Sequence, residues 1–177
     1  MRFKCMRVVA FIGMAGLAAM AQTGTAERAN PPQFTSDQDF LKQAAELEHY
    51  SEIVEGWAKD HGSTPVRTAA RQILYEQSVM ANDMNHLAHQ KHVDLPEHLT
   101  QTDQDNVDRM QGLRGEHQRD RYLADEMLKS DRLLKAMFQQ EAQQGSDNDI
   151  KQWAQRSITT LQHHEQELEK LQKQIGA

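Results

Sequence analysis

Between Ser36 and Gln174 the chain holds four long runs in which apolar side chains return every three or four residues, the period of one face of an α-helix. The first run places Phe40, Ala44, Leu47, Val54 and Ala58 on one stripe. The second offers Val66, Ala69, Ile73, Met80, Met84 and Leu87, and the third Leu123, Met127, Leu134, Met137 and Phe138. The fourth offers Ile150, Ala154, Ile158, Leu161, Leu168 and Ile175. A helix with one apolar stripe must bury it against another element, and four such helices bury theirs most economically against one another.

Stop and start signals divide the runs. Ser36 reads as an N-cap, with Asp37 and Asp39 suited to the positive end of a helix dipole, and helix A runs to about Lys59 before Gly62. Thr64-Pro65 reads as a cap followed by proline in the first turn, and helix B extends to about His92. Val93 to Thr102 forms the longest connection, and a short helix covers Asp103 to Leu113. Helix C runs from about His117 to Gln144 and ends at Gly145. Ser146 with Asp149 resembles a capping box that opens helix D, which continues to about Gln174. The reading is an all-α fold, an antiparallel four-helix bundle over 36–175 in up-down-up-down order, with a short extra helix between the second and third long helices. At 177 residues, one domain is expected. Aromatics at 6% leave little of the composition that sheets favour.

The first residues read differently. Arg2, Lys4 and Arg7 precede an apolar stretch from Val8 to Ala21, as in a signal peptide, with small-residue cleavage sites after Ala21 or after Ala26. Residues 27–35, with Pro31-Pro32, read as a linker. The expected location is periplasmic or secreted. The single cysteine, Cys5, lies in the charged leader, so the mature part is expected to carry no disulfide and no thiolate ligand. No later segment is apolar enough to cross a membrane. With no basic tract beside aromatics, nucleic acid is not an expected partner.

Each apolar stripe is interrupted once near its middle: by Ser51, by Glu76-Gln77, by Ser130-Asp131 and by His164. These positions lie at similar depth and are expected to meet in one polar layer. Buried charge is tolerated only when paired, hydrogen-bonded or metal-bound. Two readings follow: a structural layer built on an Asp131–His164 pair, or a metal site of Glu76, Asp131 and His164 for iron, manganese or zinc. A di-iron centre would need two inward Glu-x-x-His pairs. Only Glu46-Leu47-Glu48-His49 spells that motif, with Glu46 and His49 turned from the stripe, and Asp83-Met84-Asn85-His86 is a weaker echo. His86, His89 and His92 share a polar face, where solvated imidazoles or a surface copper or zinc site are the alternatives. Trp57 and Trp153 fall on stripe edges. No mature cysteine, Gly-x-Ser-x-Gly elbow or phosphate-cradling glycine loop supports nucleophilic catalysis.

Several pieces, taken in order, resemble a known family. Phe40-Leu41-x-x-Ala44-Ala45, Leu87-Ala88 before Val93-Asp94-Leu95-Pro96, Leu113-Arg114-Gly115 with Tyr122, and Leu161-x-x-His164 are similar to exported bacterial ferritin-like proteins catalogued as domain of unknown function 4142. The resemblance implies a ferritin-like bundle and no established activity. It also implies Asp-His pairs in the second and third long helices, where this chain has Glu76-Gln77 and Ser130-Asp131. The expected function is a non-enzymatic exported binding or envelope-stress module without cofactor; the alternative is a metal-binding or metal-dependent redox protein. Self-association through outer helix faces is a third expectation.

Overall fold

A computed structural model describes residues 33–176. The leader at 1–21, both cleavage sites, Cys5 and the first part of the linker lie outside the described residues.

Five helices follow in order: α1 (Asp37–His61), α2 (Thr64–Gln90), α3 (Gln101–Gly112), α4 (Glu116–Gln144) and α5 (Asn148–Gly176). The described residues contain no strand, and none of their helices is long and apolar enough to cross a membrane. Ser36 caps α1 by accepting the Asp39 amide, as its position suggests. Two other caps differ from expectation. Ser63, not Thr64, precedes α2, and its amide donates to Asp120 at 3.0 Å. At α5 the Asp147 carboxylate accepts the amides of Asp149 and Ile150. Ser146 instead donates its amide and hydroxyl to Asp37 of α1, so it anchors the turn rather than boxing the helix.

The four long helices form a ring in the order α1, α2, α5, α4. Along α1, the partners on α4 descend: Asp37 meets Ser146 just past the end of α4, Phe40 meets Phe138, Tyr50 meets Glu126, and Ser63 meets Asp120. Along α2, Gln72 meets His163, Glu76 meets His164, and Lys91 meets Asp149. Adjacent helices are therefore antiparallel throughout, yet α2 and α4 run the same way across the diagonal. The order is up-down-down-up, which corrects the up-down-up-down reading.

The physical reason is the connection between α2 and α4. It leaves α2 beside the start of α5 and delivers α4 beside Ser63, at the opposite end. Within it α3 covers about 18 Å at 1.5 Å per residue, and the extended remainder can reach roughly 40 Å more. That suffices to travel the length of the bundle. On the way α3 packs Val107 and Met110 into the core.

The apolar stripes form that core. Every stripe residue of α1 and α4 named above is buried, while Ala69, Ile158 and Ile175 are only half-buried and Ala70 takes the inward place of Ala69. Trp153 is 1% exposed rather than on an edge, and its ring lies 4.8 Å from Phe138 and 6.0 Å from Phe40. Trp57 remains half-buried, stacked on His61 at 3.7 Å. Gly62 is required where α1 turns into α2, since a Cβ there would stand 2.5 Å from Val66.

Candidate functional site

His164, Asp131 and Gln77 all lie close to the midpoint of their helices, so reversing α4 hardly changes their depth. They meet as the stripe interruptions suggest. His164 is 1% exposed, and its two ring nitrogens face two carboxylates. Nε2 lies 3.0 Å from Glu76 Oε2 and Nδ1 lies 3.5 Å from Asp131 Oδ2. Asp131 is fully buried, and its other oxygen accepts from Gln77 Nε2 at 3.3 Å. The same amide nitrogen donates to Glu55 at 2.9 Å.

The result is a polar chain across the bundle: Glu76, His164, Asp131, Gln77, Glu55. Glu76 is its half-exposed outer end, with a side chain 27% accessible. Ser51 and Ser130 are buried at this level but do not join it. Each hydroxyl donates to its own helix, to the carbonyls of Leu47 and Met127, a bond that competes with outward partners.

Two carboxylates missing from the sequence reading complete the layer. Glu48 and Glu55 are buried on α1, two turns apart and thus on one face. They extend a second stripe through Leu41 and Ala45, one position beyond the stripe of Phe40, Ala44 and Leu47. A helix gripped by neighbours on two sides buries a band wider than one stripe, and that widening is the available signal. Both Glu48 oxygens, one oxygen of Glu55, Asp131 Oδ2 and His164 Nδ1 have no hydrogen-bond partner among the described residues.

Burial of so much acid shapes its protonation. Burial, then the charges of Asp131 and Glu52, push the Glu48 carboxyl up to about 8. Burial and Asp131 lift Glu55 well above the carboxylate range, against the pull of its bond from Gln77. Burial also raises Asp131, although His164 and Gln77 draw it down. For His164, burial opposes the charged form, but Asp131 and Glu76 outweigh it and the net shift is upward. The layer therefore favours a proton on His164, between Asp131 and Glu76, beside Glu48 and Glu55 carboxyls that hold theirs well above the usual carboxylate range.

Two grooves reach this layer. One, of about 340 Å³ between α1, α2 and the Leu95-Pro96 part of the crossover, is lined by Glu48 and Gln77. The other, of about 490 Å³ between α2 and α5, is lined by His164. Among the described residues no group of three or more His, Cys, Asp or Glu side chains converges as metal ligands do. Glu76, Asp131 and His164 are brought together, but as a line with the imidazole in the middle. His86 and His89 stand exposed on α2 and His92 stands exposed just beyond its end, with His86 bonded to Gln90. Glu46 and His49 are half-buried.

Residues 21–171 match the profile of a protein family described as Domain of unknown function (DUF4142). Neither a curated protein nor a solved structure matches the chain.

Proposed function

The chain belongs to the family described as Domain of unknown function (DUF4142), and we propose that it is an exported, non-enzymatic binding module that holds a small molecule in the groove between α1 and α2. The observation that carries this reading is Glu48. It lines a groove of small-molecule size, and neither oxygen of its buried carboxyl has a partner. An unpaired buried polar group is costly, and binding a complementary group removes the cost. The single long crossover supports reading the arrangement as ferritin-like.

The metal alternative has His164, Glu76 and Asp131 as its natural ligands. It would need the imidazole to release one carboxylate, because one nitrogen cannot serve a metal and a hydrogen bond together. One experiment separates the readings: native mass spectrometry and elemental analysis of untagged protein, followed by thermal-shift screening of small molecules. The binding reading expects a co-purified organic mass or a saturable rise in melting temperature. Stoichiometric iron, manganese or zinc that disappears in His164→Ala would replace it with the metal reading. No bound mass and no shift from any compound would sink it.

Export rests on the charged-then-apolar leader. Intact-mass analysis of protein from the cell envelope or medium is expected to find the chain beginning at Gln22 or Glu27. A mature protein that still begins at Met1 would refute cleavage.

A further inference from the structure

The groove has a chemical bias that the binding reading leaves open. Its charged lining is acidic: Glu48 and Glu52 face it from α1, and neither lysine nor arginine lines it. His49 is its sole basic side chain. Asn82 and Asn85 of α2 supply amide oxygens near the opening, while Ala45, Leu74, Met84 and Leu95 give it aliphatic walls. Acid at the floor with aliphatic walls fits neither an anion nor a bare metal ion. An anion would meet two carboxylates, and a metal would need converging ligands.

We propose that this groove binds a small aliphatic amine, with its ammonium group against the Glu48 carboxylate and its carbon chain along the Leu74, Met84 and Leu95 wall. The inference rests on the binding reading above and names its ligand class. Glu48 has no hydrogen bond to give up in turning toward the ligand. The charges acting on it, Glu52 on α1 and Asp131 on α4, favour a positive charge beside it, while Glu55 and Gln77 are neutral neighbours and His49 is the one basic group on the groove wall. Both ring nitrogens of His164 are committed to Asp131 and Glu76.

Free Glu48 holds a proton near neutral pH. Binding is then an exchange: the carboxylic acid gives its proton to solvent, and the resulting carboxylate pairs with the ammonium. No bond to carbon forms or breaks. Affinity consequently rises with pH up to about 8, where Glu48 has lost its proton unaided.

The test is calorimetric titration of the full mature chain with four probes of similar size: butylamine, 1,4-diaminobutane, 1-butanol and butyrate, plus zinc chloride. Running each in two buffers of different ionisation enthalpy at pH 6.5 reads proton release. The expected result is saturable binding of the amines, with protons released, and at least tenfold weaker binding of butanol and butyrate. Glu48→Gln is expected to weaken the amines at least tenfold and to abolish proton release. Ala81→Phe, which adds a ring to the groove wall from α2 and leaves the Glu48 carboxyl in place, is expected to abolish binding in a protein of unchanged circular dichroism. Amine binding that is unaltered in Glu48→Gln overturns the inference. So does preferential binding of butanol or butyrate, although the binding reading then stands; preferential binding of zinc overturns the inference and counts for the metal reading instead. If none of the probes binds and no compound in the wider screen does either, both fall together.

Discussion

His164→Ala is expected to lower the unfolding free energy by about 3–5 kcal/mol, the cost of removing one partner from a buried ion pair and leaving the other. Among the described residues the imidazole is the one basic side chain in the polar layer, placed between Glu76 and Asp131. Its loss strands Asp131 Oδ2 in the core, removes the 3.0 Å partner of Glu76, and opens a cavity between α2, α4 and α5. The stranded carboxylate can be neutralised by a proton, so the loss should be smaller at pH 5 than at pH 7. Adding Asp131→Asn should recover part of it, because the amide needs no counter-ion, and a double-mutant cycle would give the coupling. Equilibrium urea unfolding at the two pH values measures all three. A cost below about 1 kcal/mol would mean that the layer does not depend on the imidazolium.

The second large effect is a fall in stability as pH rises from about 5 to about 8. Glu48 and Glu141 are each pushed to about 8, Glu141 by burial and then by Asp37, and Glu55 and Asp131 are raised as well. A carboxyl whose folded pKa exceeds its unfolded one keeps a proton that the unfolded chain releases. Its contribution is complete below the unfolded value and is lost as pH climbs through the folded value. Each such group removes up to about 1.4 kcal/mol per pH unit inside that window. The raised His164 acts in the same direction. The depressed carboxylates Asp37, Asp147 and Glu165 act oppositely, but their window lies below the ordinary carboxylate range. Maximum stability is thus expected on the mildly acidic side. Glu48→Gln, which cannot ionise, should match the parent at pH 5 and exceed it at pH 8. A flat profile between those values would show that the layer is hydrated and its acids ordinary.

Helical periodicity made most of the bundle legible, because a stripe such as Phe40–Ala44–Leu47 has no stable use except against other stripes. The interruptions Gln77, Asp131 and His164 were legible for the same reason: a polar residue on the apolar face is carried inward whether or not it is welcome there. Three things were not. The direction of α4 depends on the path of the crossover, and no periodic signal records a path. Glu48 and Glu55 sit one position off the central stripe, where burial depends on neighbours on both sides of α1. The hydroxyls of Ser51 and Ser130 point inward on a helical wheel, but a wheel does not reveal that the nearest acceptor is their own backbone.

The crossover has a consequence for how the molecule is put together. It divides the chain into two helical hairpins, α1–α2 and α4–α5, and the polar layer is shared between them: acids and amide on one, imidazole and Asp131 on the other. The contacts of Glu76 with His164 and of Gln77 with Asp131 both span that divide, so neither half satisfies its own core when separate. Completing the layer requires the two halves to dock, so the protons held by Glu48 and Glu55 depend on contacts between hairpins as well as within them.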